Sequence, residues 1–148
     1  MIIAVGVGVL SLTLTVFMEV FMNNKKKGTK FEQKVCKMLA DNGWWVHFLT
    51  PDNRGAQPFD IIAVKDGNAM AIDCKTCVDN VFRISRLEEN QKYAFQKWQD
   101  CGNWFAGIYI EHNDRLYIIS YDDLVSNGGK YDLELNKNHS YDINRILT

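Results

Sequence analysis

Asp60 and the triplet Asp73-Cys74-Lys75 place two carboxylates and one ammonium in a short stretch of chain. Between them runs Ile61-Ile62-Ala63-Val64-Lys65-Asp66-Gly67-Asn68-Ala69-Met70-Ala71-Ile72, two apolar runs around Asp66-Gly67, a strong hairpin signal. With Asp66 and Gly67 as the two loop residues, Lys65 pairs with Asn68 and Asp60 falls opposite Asp73. Their Cβ atoms would then lie about 4.5–5.5 Å apart. Lys75, two residues on, projects from the same face as Asp73. A turn at Gly67-Asn68 would instead set Asp60 opposite Lys75. Both strands read as apolar on both faces, hence central and buried. Like charges opposed in a sheet are destabilising, and buried carboxylates need partners. A divalent cation would supply one: magnesium is held by one or two carboxylates with waters and substrate phosphate oxygens. A plain salt bridge from Lys75 to one aspartate at a strand end would also satisfy these residues.

Pro58-Phe59-Asp60, a hairpin, then Asp73-Cys74-Lys75 resembles the signature of the PD-(D/E)xK nuclease superfamily, and within it the small Holliday-junction resolvases of bacteria, archaea and phages. The likeness runs from about Gly28 to Ser120. Glu32, near the start of the preceding helical pattern, matches that family's helix glutamate. Gln91 stands where these resolvases often carry a glutamine. One departure is Phe59, which separates Pro58 from Asp60. The resemblance implies an α/β fold, a restriction-endonuclease-like mixed β-sheet flanked by helices, and a Mg2+-dependent endodeoxyribonuclease, with Mn2+ as a substitute ion. It implies metal ligands Asp60, Asp73 and Glu32, with Lys75 orienting the attacking water and Gln91 fixing Lys75 or that water. Lys30, Lys34 and Arg54 are the expected phosphate contacts, and branched DNA is the expected partner of a homodimer. Two alternatives stay open: another repair, restriction or end-processing nuclease of this fold, or a DNA-binding protein that has lost catalysis.

These residues need elements to hold them. Phe31, Val35, Met38 and Leu39 form an apolar stripe at helical spacing over Thr29–Asn42, with Thr29 as cap and Asn42-Gly43 as stop. Trp44–Leu49 reads as a strand, and 50–58 as a loop holding Arg54. A connection over Val78–Arg83 leads to a helix from about Arg86 to Cys101. On it Leu87, Gln91, Ala94, Phe95 and Trp98 share a face, and Gly102-Asn103 ends it. Trp104–Glu111 and Arg115–Ser120 form a second hairpin around His112-Asn113-Asp114. A short helix follows over Tyr121–Val125. One helix, three strands, one helix and two strands give a mixed sheet with helices on its faces.

The ends divide the 148 residues into an apolar leader over 1–21, a nuclease domain over 22–127 and a loosely attached polar tail over 128–148. Glu19 is the only charge in the leader, and Lys25-Lys26-Lys27 follow it. Such a run is long enough for a membrane anchor with its positive flank in the cytoplasm. The preferred reading is a wrongly assigned start: Met18-Glu19-Val20 can be back-translated to a string containing GGAGG, a bacterial ribosome-binding sequence, shortly before the codon of Met22. A buried helix is the third alternative. The nuclease domain is expected in the cytoplasm, or tethered to the membrane and facing it if the leader is made. The formal charge of −1 argues against wholesale coating by nucleic acid, but Lys25, Lys26, Lys27, Lys30, Lys34 and Lys37 crowd the first helix and its approach.

The remaining reactive residues point to packing. Cys74 and Cys77 have CxxC spacing, but on a strand they face opposite sides. Cys36 and Cys101 read as small helix residues of the core. Unpaired-looking cysteines without a secretion signal fit a reducing compartment. His47, His112 and His139 are scattered, with His112 at a turn. The four tryptophans read mostly as core. No phosphate-binding glycine motif is present, so no nucleotide cofactor is expected.

Overall fold

The computed structural model describes residues 30–49 and 57–146. Helix α1 spans Lys30–Asp41 and buries Phe31, Val35, Cys36, Leu39 and Ala40, the stripe that its spacing dictates. Gly43, at φ +85°, turns the chain out of it. Strand β1 (Trp45–Phe48) follows, then β2 (Ile61–Lys65) and β3 (Asn68–Thr76). Lys65 pairs with Asn68 across a tight turn in which Asp66 and Gly67 both have positive φ. This is the first of the two registers weighed above, and it fixes every pairing of the hairpin.

Beyond β3 come β4 (Val81–Arg83), a 3₁₀ turn (Ile84–Arg86) and helix α2 (Glu89–Asp100). α2 is the crossover that carries the chain to β5 (Phe105–His112), parallel to β3. β5 turns through Asn113-Asp114 into β6 (Arg115–Ser120), again with two positive φ values. Helix α3 (Tyr121–Ser126), β7 (Lys130–Asp132), β8 (Tyr141–Asp142) and helix α4 (Ile143–Ile146) complete the described chain. Six strands form one mixed sheet in the order β1-β2-β3-β5-β6-β8, and β4 and β7 form a separate two-stranded ribbon.

Period-two alternation divides the core between the two faces of this sheet. Met70, Ile72 and Cys74 of β3 and Tyr109 of β5 pack against α1 with Val35, Cys36 and Leu39. Ala71 of β3 and Ala106, Ile108 and Ile110 of β5 pack on the other face with Phe95, Leu87, Leu124 and Leu133. Cys74 and Cys77 fall into different clusters, as strand geometry requires.

Several expectations are corrected. Residues 128–146 are not a loose tail: β7 pairs with β4, β8 pairs with β6, and Leu133 and Ile143 are buried. α2 begins at Glu89, not Arg86, because Ile84–Arg86 form a 3₁₀ turn and Glu88 caps the helix. His112 is a buried strand residue, its Nδ1 2.8 Å from the carbonyl of Cys77, so that turn has two residues. β2 is covered on one face only, with Ile62 half-buried and Val64 exposed. Trp45 and Trp104 are 57% and 62% exposed and do not belong to the core. Thr29, Arg54 and the leader over 1–21 lie outside the described residues. Among the described residues, no helix is long and apolar enough to cross a membrane.

Leu133 tests whether the C-terminal segment belongs to the fold. Leu133→Ala removes a fully buried side chain and is expected to lower unfolding free energy by about 2–5 kcal/mol. Urea denaturation measures it. A loss near zero would mean that residues 130–146 merely lie on the surface.

Candidate active site

β3 is the strand on which the site is built. It lies between β2 and β5, and its middle is buried on both faces. Asp73 stands in that middle, 1% exposed, on the face covered by α2. Its Oδ1 accepts a 2.8 Å hydrogen bond from Gln91 Nε2. Its Oδ2 faces Lys75 Nζ at 3.0 Å, an ion contact without hydrogen-bond alignment, and makes no hydrogen bond of its own among the described residues. The Lys75 side chain is 23% exposed and therefore links this buried carboxylate to solvent.

Asp60 precedes β2, just beyond the last ladder pair Ile61–Ile72, and lies close enough for its charge to act on Asp73. Its backbone N–H donates to Ile72 and its carbonyl accepts from Leu49, so its main chain is held on both sides. Its Oδ2 accepts a 2.8 Å bond from the backbone N–H of Cys74. The side chain thus serves as an acceptor to β3 where the β2 ladder ends.

Gln91 is placed by the start of α2. Its Oε1 accepts from the backbone N–H of Glu88 at 3.1 Å, one arm of a capping box. With Oε1 committed there, the carboxamide must present its NH2 to Asp73. Sequence reading found Gln91 but missed this anchor. The signal was available in the Glu88-Glu89-Asn90-Gln91 spacing, although glutamate is not among the favoured N-cap residues.

Asp60, Asp73, Lys75 and Gln91 are therefore brought together. Glu32 sits half-buried on α1, and its charge is felt at Cys36 and Cys74, on the opposite face of the sheet from Gln91. Among the described residues, no three His, Cys, Asp or Glu side chains converge as a metal-binding group. The two carboxylates that come together are Asp60 and Asp73. Lys30 and Lys34 are exposed on α1. Lys34 lines a polar cleft with Thr76 and Glu111, at the end of β3 where Lys75 lies.

The electrostatics show what this arrangement lacks. Burial pushes the Asp73 carboxyl from 3.8 up to about 7, and the neighbouring Asp60 charge pushes the same way; Lys75 opposes both. A single ammonium does not compensate two carboxylates. Asp60 and Asp73 would hold an oxygen-binding divalent cation, whose charge would offset their repulsion, and carboxylate donors suit Mg2+.

The raised Asp73 value carries a sign. The folded protein binds this proton more tightly than the unfolded chain, so stability from this group is present at acid pH and falls as pH rises from about 4 to about 7. The full loss is on the order of 4 kcal/mol. Asp73→Asn removes it while keeping an oxygen for Gln91. Without metal, the melting-temperature advantage of the variant should grow across that window and level off above it. An advantage independent of pH would show Asp73 ionised throughout.

The likeness to known proteins agrees with this geometry. Residues 23–148 match the family model described as archaeal Holliday junction resolvase (Hjc). No curated protein sequence matches the chain. Among solved structures, the fold is similar to that of Archaeoglobus fulgidus Hjc, a Holliday junction resolvase from an archaeal hyperthermophile. That likeness has a TM-score of 0.58 at 17% identity and covers 82% of this chain and all of the other. The mixed sheet, its flanking helices and a family match that spans all the described residues lead to one conclusion: this chain belongs to the archaeal Holliday junction resolvase (Hjc) family and is a resolvase-like nuclease.

Proposed function

We propose that the protein is a Mg2+-dependent endonuclease that cuts four-way DNA junctions, acting as a homodimer so that two sites meet two strands. The observation that carries the reading is the Asp60–Asp73 pair. Two carboxylates lie close together at the central hairpin, one of them with a buried oxygen that accepts no hydrogen bond among the described residues and faces the Lys75 ammonium. Asp60 and Asp73 would hold the ion, and Mn2+ would substitute for Mg2+. When bound, it would supply a Lewis acid for the phosphoryl oxygens and lower the pKa of a bound water.

The protein's own groups do the rest. Gln91, locked by the start of α2, holds Asp73 in one rotamer and so fixes where its Oδ2 points. Lys75 reaches from Asp73 to the open face, where it orients the attacking water and offsets negative charge on the scissile phosphate. The water oxygen forms a bond to phosphorus, and the leaving sugar oxygen takes the electrons of the broken P–O bond and a proton. Glu32, from the other side of the sheet, would adjust the field around the pair. Lys30, Lys34 and Arg54 would bind backbone phosphates, which position DNA without reading its sequence.

The test is cleavage by the full chain with Mg2+ of four-way, flap, linear duplex and single-stranded DNA. The junction should be cut fastest. Asp60→Asn and Asp73→Asn should abolish cutting and also the rise in melting temperature that Mg2+ gives the wild type. Lys75→Ala should lower kcat by roughly 10²–10³ with little change in junction affinity measured in Ca2+. Equal rates on junction and linear duplex would overturn the junction reading. Equal Mg2+ stabilisation of wild type and both aspartate variants would overturn the metal site.

A further inference from the structure

We infer that the β4–β7 ribbon, with the 3₁₀ turn that follows β4, is a phosphate-binding track that continues the active site onto an arm of the substrate DNA. Arg83 and Lys130 lie directly opposite each other in this ribbon. Like charges so placed repel and destabilise a strand pair. Both residues are exposed, and neither makes an ion pair or side-chain hydrogen bond among the described residues. The nearest acid on the same ribbon, Asp132, does not relieve them: its Oδ1 accepts from the backbone N–H of Leu135 at 2.9 Å. Two unpaired cations on a short ribbon are an unfavourable choice for folding alone. They suit a surface that meets a polyanion, where each neutralised phosphate releases condensed counterions.

Arg86 ties this ribbon to the reaction centre. Its Nη1 donates at 2.8 Å to the carbonyl of Thr76, the residue after Lys75. Its guanidinium lies over the ring of Phe82, with Cζ 5.6 Å from the centroid. One N–H is spent on that carbonyl and the others remain, so the fork is pre-oriented without being used up. Arg83 precedes Arg86 by three residues, a span of at most about 11 Å. Arg86 is thus bound to the residue next to Lys75, and Arg83, paired across the ribbon with Lys130, lies three residues from it along the chain. The backbone of Gly129 anchors the ribbon to this turn, accepting from Ile84 at 2.8 Å. The occupant is the sugar–phosphate backbone, and this assignment rests on the junction-nuclease reading above.

The test is binding of a four-way junction and a linear duplex to the full chain in Ca2+ across a salt series, with melting temperatures recorded in parallel. Lys130→Glu, Arg83→Gln and Arg86→Ala should each weaken binding to both DNAs. Each should make the slope of log K against log salt shallower by about 0.9 for every phosphate contact removed. Lys130→Glu should at the same time hold or raise the melting temperature, because Arg83 gains an opposite charge across the strands. Lys137→Glu, on the exposed 3₁₀ turn that follows β7 and outside the ribbon's strands, serves as the control and should leave the slope close to that of the wild type. Unchanged slopes in Lys130→Glu and Arg86→Ala, with wild type binding normally, would overturn the track. Wild type that binds both DNAs with these slope changes yet cuts neither would leave the track standing and sink the nuclease reading. Wild type that binds no DNA would overturn both.

Discussion

The carboxylate of Asp73, buried in the middle of the central strand, is the constraint around which the rest of the structure is arranged. A buried anion is tolerated only with partners, and each partner comes from a different element. Gln91 comes from α2 and Lys75 from further along β3, while Asp60, from the approach to β2, adds a like charge that these two must offset. The crossover from β3 to β5 must therefore return α2 so that its first turn meets Asp73. The Asp66-Gly67 turn must set the register that ends at Ile61–Ile72 and brings Asp60 to the β3 backbone at Cys74. A slip of one residue would present Cys74 to Gln91 and turn Asp73 into the apolar face against α1. Fold and site are thus specified by the same few contacts.

The capping box at α2 shows how closely structure and chemistry are coupled. A glutamine at the third helical position satisfies the Glu88 backbone N–H with its oxygen and, because of that, has only its NH2 left for Asp73. The helix cannot start elsewhere without releasing the carboxylate. This also explains why the sequence pattern places the helix start too early. Arg86 and Leu87 fit helical spacing, yet Arg86 is drawn back to the Thr76 carbonyl by a 3₁₀ turn, a contact that is long-range in sequence.

What was readable in the chain was local. The stripe Phe31, Val35, Leu39, the turn dipeptide Asp66-Gly67 and the glycine stops at Gly43 and Gly102 each act within a few residues, and the elements they predict are present. What was not readable depends on distant partners. β4, β7 and β8 have two or three residues each, too short for any periodicity, and exist because another strand lies beside them. Leu133 looks like an isolated leucine in a polar tail until Phe82 and Tyr117 are found around the same core. Trp45 and Trp104 look like core by residue type, but Trp45 projects from an edge strand onto a face that α2 does not cover. For the candidate site, spacing grouped Asp60, Asp73 and Lys75 and the family resemblance added Gln91 and Glu32; Gln91 bonds Asp73, whereas the Glu32 charge is felt at Cys36 and Cys74 on the other face of the sheet.

Cys74, the middle residue of the Asp-x-Lys triplet, serves the structure separately through its main chain and its side chain. Its backbone N–H faces β2 and holds the Asp60 carboxylate. Its side chain points to the other face and packs with Cys36 and Tyr109 against α1. Burial pushes its thiol well above the ordinary value, and the nearby Asp60 charge adds to the effect. The group therefore stays protonated at neutral pH and behaves as a small apolar side chain. A larger residue would have to displace the α1 packing, and a charged one would bury a third charge behind two carboxylates. Main-chain and side-chain roles are thus separated at one position: the amide orients Asp60 from within the strand, and the thiol fills the core that keeps that strand in place.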